Sequence, residues 1–292
     1  MVAELLVVGG GKMGMALVGG LLGAGWARPE QVVVTEVSAA RRSELTAAAG
    51  PASRYPGLEV LAGELPPAKG VVVAVKPADV EGVCCNLTGP EHNRVLSIAA
   101  GAHLGDLESW CPRELAVVRA MPNMGALVGA GATAIAGGRR ACAADMAWAA
   151  GIMRSVGTVV EVAEHLLDAV TGVSGSGPAY VFLVAEAMTE AGVLMGLPRS
   201  VACDLVAQTL LGSARLLRET GESASELRAA VTSPGGTTAA GLRRLEAGAA
   251  RSLFIEAVAA ATQRSRELGP PGHSAREIPA TSEHRAGLGA PG

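Results

Sequence analysis

The sequence predicts a two-part protein: an α/β half built on a mostly parallel sheet, then a half made only of helices. Three observations carry this reading. A glycine-rich turn, Gly9 to Gly14, stands directly between a strand-like run and a helical run. Short β-branched runs then alternate with helical stretches as far as Val162, the pattern of a doubly wound sheet. From His165 onward no run shows the two-residue period of a strand.

Glu4 to Val8 reads as a short buried strand, and Met13 to Leu22 carries apolar residues at helical spacing. The turn between them is G-x-G-x-x-G in the strand–turn–helix context that a Rossmann-type dinucleotide site requires. Gly9 makes the tight turn, Gly11 admits a pyrophosphate, and Gly14 lets helix and strand approach; Lys12 and Met13 open the helix at the same place. Val32 to Glu36 is the next strand, and Glu36 stands 22 residues beyond Gly14, where an acid holds ribose hydroxyls. Ser38, Arg41 and Arg42 follow, and guanidinium groups suit a 2′-phosphate, as does Lys12. The pattern therefore leaves NADH and NADPH both open.

Val71 to Val75 reads as a central parallel strand closing on Lys76-Pro77. Ligands in such sheets sit beyond the carboxyl ends of the strands, so Ala74, Val75, Lys76 and Pro77 are expected to face the cofactor. A helix is expected from Asp79 to about Leu87. The strand Val95 to Ile98 ends in Ala99, Ala100 and Gly101, small residues that leave room for a nicotinamide ring. After a helix at Leu104 to Trp110, the strand Leu115 to Arg119 runs into Met121-Pro122-Asn123. The amide of Asn123 can position nicotinamide or substrate, or simply serve a turn. Strands at Ala132 to Ala136 and Thr158 to Val162, around a helix at Ala143 to Ser155, complete a nucleotide half over residues 1–163.

Residues 164–268 read as helices at Ala179 to Gly196, Ser200 to Glu219, Ala224 to Ala230, Thr238 to Ala247 and Arg251 to Leu268. The first two are apolar almost all round and need neighbours on more than one side, which predicts a homodimer through this half. Ahead of the fourth lies Thr232-Ser233-Pro234-Gly235-Gly236-Thr237-Thr238. A helix N-terminus behind two glycines is an anion site or an ordinary cap, and local chemistry alone does not separate the two. The stretch 269–292, rich in Gly, Pro, Ser and Ala, is expected to be disordered.

Composition excludes several classes. A formal net charge of -3 and 2% aromatic residues argue against nucleic acid as a partner. Met1 to Glu4 shows no basic n-region, which argues against a signal peptide, and Glu186 and Glu190 interrupt the longest apolar helix, which argues against a membrane span. Five cysteines without a C-x-x-C spacing predict no disulfide framework and no metal site; buried free thiols in a reducing, cytoplasmic setting are the expectation. His165 and Asp168, one helical turn apart, read as surface residues.

Taken together, six blocks form a known pattern in order: Gly9 to Gly14, Ala74 to Pro77, Ser97 to Gly101, Arg119 to Asn123, Val173 to Tyr180 and Thr232 to Thr238. The chain resembles the pyrroline-5-carboxylate reductases, the last enzymes of proline synthesis, over residues 5 to about 268. The resemblance implies a Rossmann domain followed by a helical dimerisation domain that interleaves with a second copy, and assembly of dimers into decamers in many members. It implies hydride transfer from NAD(P)H to (S)-1-pyrroline-5-carboxylate, giving L-proline, with NADPH the favoured donor. By position, Gly9 to Gly14, Ser38, Lys76 and Ala99 to Gly101 would hold the cofactor. Ser233, Gly235, Gly236, Thr237 and Thr238 would hold the substrate, Thr238 bonding its ring nitrogen. Three departures stand out: Lys12 where Asn is common, Met124-Gly125 where Thr-Pro is common, and Glu36. A hydroxyacid or other imine dehydrogenase of similar plan would carry a lysine in the helical half, and no lysine follows Lys76.

Overall fold

The computed structural model describes residues 2–50, 55–87 and 92–268, so the expectation of disorder for 269–292 lies outside the described residues. The first half follows the order β1 (Ala3–Val8), α1 (Lys12–Gly23), β2 (Val32–Thr35), α2 (Ala39–Ala48), β3 (Glu59–Leu61), β4 (Ala68–Val73), α3 (Val80–Cys85), β5 (Arg94–Ser97), α4 (Leu104–Trp110), β6 (Ala116–Met121), β7 (Gly131–Gly137), α5 (Ala143–Arg154) and β8 (Gly157–Glu161). They build one eight-stranded sheet in the order β3-β2-β1-β4-β5-β6-β7-β8. The pairs from β3 through to β6 are parallel. β7 turns antiparallel to β6 because a 3-10 turn, Met124–Val128, replaces a crossover helix between them.

Alternation along the strands sorts side chains onto two faces. Leu5 and Val7 pack with Leu17, Leu21, Ile152 and Met153 beneath α1 and α5. Leu6 and Val8 pack with Val80, Leu104 and Leu107 beneath α3 and α4. Both faces are covered, which is why the central strands are continuous runs of valine and leucine. β3 escapes sequence reading because three residues are too few to show a period.

The expected buried thiols hold for two cysteines. Cys84 and Cys111 are buried in the second layer, whereas Cys85, Cys142 and Cys203 are exposed; all five are free. A hydrogen bond with Cys84, reinforced by burial, pushes the Cys111 thiol far above its ordinary value.

The second half begins with a short helix, α6 (Leu167–Val170), which runs without a break into a π turn at Thr171–Gly175. Then follow α7 (Gly177–Leu194), α8 (Arg199–Glu219), α9 (Ala224–Ala230), α10 (Thr237–Ala247) and α11 (Ala250–Leu268). α7 and α8 pack on each other, and α11 returns to lie along α6 and the π turn. Asp168, read from sequence as a surface residue, is half-buried and accepts a 2.7 Å hydrogen bond from Ser265 Oγ of α11, while His165 is exposed.

This half has almost no core of its own. On α7, Phe182 is 62% exposed and Leu183 66%; on α11, Ile255 is 70% exposed. Exposed apolar area on this scale marks an interaction surface. No described helix is long and apolar enough to cross a membrane.

The two halves are pinned together at a partly buried ion pair. Arg119 of β6, 4% exposed, donates from Nη1 to Glu164 Oε1 at 3.1 Å. The same Arg119 nitrogen lies 3.0 Å from His103 Nδ1, and Glu164 also accepts from the Leu104 backbone N–H at the start of α4.

The π turn is held by close contact. A Cβ on Gly172 would stand 2.4 Å from Thr262 Oγ1 and 2.8 Å from the Val258 carbonyl of α11. Gly172→Ala is therefore expected to cost about 1–3 kcal/mol by overpacking. Urea denaturation at fixed protein concentration should show a lower midpoint with an unchanged slope.

Candidate active site

The sheet's carboxyl edge gathers the sequence-predicted cofactor residues. Backbone hydrogen bonds continue past the strand ends: Gly9 N–H donates to Thr35 O, Glu36 N–H to Leu61 O, Ala74 N–H to Val8 O and Ile98 N–H to Val73 O. The glycine turn, Glu36, Ala74 to Pro77 and Ala99 to Gly101 therefore stand side by side at the ends of β1, β2, β4 and β5. Glu36, Ala74 and Val75 lie just beyond their strands and not within them.

The glycine turn fits a dinucleotide. Gly9 adopts φ 109°, and a Cβ there would meet the Ala74 carbonyl at 2.5 Å. A Cβ on Gly14 would stand 2.1 Å from the Gly9 carbonyl, so only glycine lets α1 start so close to β1. At Gly11 an added Cβ meets nothing within 4 Å. Gly11 is also the N-cap of α1, and no side chain caps that helix or places an acid in its first turn. Open space beside uncapped N–H groups at a helix N-terminus suits a pyrophosphate. Lys12 lines a cavity of about 440 Å³ along α1 with Met15, Tyr55 and Leu127.

Glu36 is tied into this cradle. Its Oε2 accepts from Gly10 N–H at 3.0 Å and its Oε1 from Ser38 N–H at 2.8 Å. A carboxylate has about four acceptor positions, so room remains for ribose hydroxyls. Ser38 itself caps α2, its Oγ accepting from Arg41 N–H. Arg41 Nε donates to Gly10 O at 2.8 Å, and Arg42 Nη1 donates to Glu36 O at 2.9 Å and Val37 O at 2.7 Å. Both arginines are thus anchored to the loop backbone with further N–H groups to offer. Beyond β4, Lys76 and Pro77 are exposed, and beyond β5 Ala99 is buried and Gly101 adopts φ 78°.

Asn123 serves the turn after β6, one of the two roles its sequence position left open. Its Oδ1 accepts from Gly125 N–H at 3.1 Å and Ala132 N–H at 3.0 Å, which fills both acceptor positions. Its Nδ2 donates to Ser174 O at 3.0 Å. Both acceptor positions and one of the two amide N–H groups are thus taken within the protein, and the side chain joins the loop after β6 to the π turn of the helical half.

The hydroxyl-rich turn before α10 is a type II turn. Gly236 N–H donates to Ser233 O at 3.1 Å, Pro234 takes the second position, and Gly235 adopts φ 67° at the third. Gly236 is the N-cap and offers no side chain, so the first-turn N–H groups of α10 stay open. Thr237 is exposed and Thr238 half-buried. α10 packs chiefly on α11 and makes no comparable contact with the glycine turn of its own chain. Sequence reading could not foresee this, because spacing along the chain carries no distance between halves. Among the described residues no group of His, Cys, Asp and Glu is arranged to hold a metal ion.

Comparison with known proteins agrees with this layout. The family model described as pyrroline-5-carboxylate reductase dimerisation matches residues 164–268, and one described as NADP oxidoreductase coenzyme F420-dependent matches residues 4–101. The chain is 44% identical to the pyrroline-5-carboxylate reductase of Synechocystis sp., covering 91% of this chain and 98% of that one. It is also 44% identical to that of Mycobacterium tuberculosis, covering 91% and 97%. Among solved structures, a pyrroline-5-carboxylate reductase from Coxiella burnetii superposes with a TM-score of 0.81 at 36% identity, covering 92% of this chain and 99% of that one. The Plasmodium falciparum pyrroline carboxylate reductase with NADP bound superposes at 0.75 with 30% identity, covering 91% and 98%.

The charge on Glu36 opposes a 2′-phosphate placed beside it. Glu36→Gln keeps one acceptor for the loop and removes that charge. Titration with each cofactor should show NADPH affinity rising relative to NADH by about tenfold, or ~1.4 kcal/mol.

Proposed function

The chain belongs to the pyrroline-5-carboxylate reductase family, and we infer that it reduces (S)-1-pyrroline-5-carboxylate to L-proline with NADP(H) as cofactor, the last step of proline synthesis. The observation that carries this reading is the pairing, in one chain, of an intact dinucleotide cradle with an uncapped helix N-terminus behind Ser233 to Gly236. NADPH supplies the hydride, and NADH remains a usable donor because Glu36 keeps acceptor positions for ribose hydroxyls.

In this reading residues 1–163 hold the dinucleotide and residues 164–268 hold the substrate. Gly9, Gly11, Lys12, Met13 and Gly14 cradle the pyrophosphate; Glu36, Ser38 and Arg41 meet the adenosine ribose. Ala74 to Pro77 and Ala99 to Gly101 border the nicotinamide side. The open N–H groups of α10, with Ser233, Gly235, Gly236 and Thr237, take the substrate carboxylate at the positive end of the helix. That fixes the ring, and the Thr238 hydroxyl holds the ring nitrogen. A protonated imine is the better hydride acceptor, so the substrate enters as the iminium and no side chain need supply a proton. The absence of lysine after Lys76 is consistent with that.

The exposed faces of α7, α8 and α11 call for a second copy, and α10 stands away from its own glycine turn. We therefore place each substrate turn against the nucleotide edge of the partner copy in a homodimer. Five free cysteines agree with a reducing cytoplasm. Sedimentation at micromolar concentration is expected to show a dimer or a multiple of it, such as the decamer that the family resemblance implies; a monomer throughout would contradict the placement.

The direct test follows nicotinamide absorbance with purified protein, pyrroline-5-carboxylate and each cofactor, and measures proline. Cofactor binding without turnover would overturn the reading. A hydrogen bond to a charged group is worth ~1.5–3 kcal/mol. Thr238→Ala is therefore expected to lower kcat/KM by roughly ten- to a hundredfold, with the circular dichroism spectrum and Tm retained.

A further inference from the structure

The link between Asn123 and Ser174 has a cause in the sequence. In a continuous helix the carbonyl of Ser174 would accept from the N–H four residues on, but residue 178 is proline and has none. The chain passes this point as a π turn, in which Ser176 N–H reaches back to Thr171 O at 2.8 Å. The Ser174 carbonyl is left for a donor outside the helix, and Asn123 Nδ2 supplies it at 3.0 Å. The other end of the same amide gathers Gly125 and Ala132 N–H, which ties the loop after β6 to the start of β7. Around this bond the segments are in close contact. A Cβ on Gly175 would stand 2.7 Å from Met121 Cε, and one on Gly172 would meet α11.

We propose that Asn123 is a positioning residue: through the carbonyl that Pro178 frees on Ser174, it fixes the helical half on the sheet, and so sets where the partner copy's substrate turn, carried by the dimer that this half forms, meets the nicotinamide edge. Hydride transfer needs donor and acceptor carbons in near contact, and small misplacements cost large factors in rate. One side-chain amide reaches both halves and sits where β6 leaves the sheet. The Arg119–Glu164 pair pins the same two halves four residues earlier in the chain. Two fixed points leave a single axis of rotation where one would leave a free pivot. This rests on the reductase reading above.

Asn123→Asp separates positioning from folding. Aspartate keeps both acceptor contacts to Gly125 and Ala132 but removes the N–H that faces Ser174 O and sets oxygen against oxygen. In single-turnover stopped flow the hydride-transfer rate is expected to fall ten- to a hundredfold, while the Kd for NADPH stays within about twofold. Amide exchange over residues 171–180 should accelerate. Adding Pro178→Ala restores an N–H four residues after Ser174, so the carbonyl is satisfied within the helix. The double variant should regain Tm yet remain slow. An Asn123→Asp protein with the parent's rate, or with the parent's exchange pattern, would overturn the proposal. So would a double variant that recovers rate together with Tm, since the bond would then serve stability alone. Should the parent itself fail to turn over, the reductase reading falls, and the exchange arm still decides whether Asn123 holds the joint.

Discussion

The close passage of α1 over the end of β1 is the constraint from which the nucleotide half follows. Gly14 sits so near the Gly9 carbonyl that no Cβ fits between them. That contact starts the helix directly at the sheet edge and turns its open N–H groups towards the space beside Gly11. It also brings Gly10 within reach of Glu36, whose carboxylate then couples the first crossover to the end of β2. Without the glycine the helix would move off the strand, and both the open space beside Gly11 and the Glu36 tie would be lost together. The sheet supplies the rest by adjacency, since four strand ends line up and carry their loops to one edge.

The helical half is built on the opposite principle. Its helices carry apolar residues on faces that none of the described residues of the same chain covers. Small residues compensate only locally, at the π turn against α11. Apolar faces of this extent suit self-association, and anything such association stabilises depends on protomer concentration. The turn before α10 is exposed as well, from Ser233 to Gly235.

Between the halves the structure uses polar contacts with few alternatives. Buried Arg119 meets half-buried Glu164 and His103, and half-buried Asn123 takes a carbonyl that a proline leaves without its usual donor. A buried guanidinium is costly unless matched, so the Arg119 contact in particular disfavours neighbouring arrangements of the two halves.

The sequence by itself determined the fold class, the positions of most elements and the residues at the sheet's carboxyl edge. Those depend on local periods, on Gly9 to Gly14 between a strand and a helix, and on a parallel-sheet rule that needs no coordinates. It determined the turn at Ser233 to Gly236 but not its purpose, because a cap and an anion site use the same N–H groups. Only the tertiary structure decided where Asn123 points. Its amide was legible as a polar group after a strand, yet its partner lies 51 residues away in a turn whose π geometry no period announces. Only the tertiary structure showed Arg119 buried against Glu164, Asp168 tied to Ser265, and three of the five cysteines exposed. Each of these is a contact or an accessibility between distant segments, set by how the halves pack, and chain spacing carries no information about that distance.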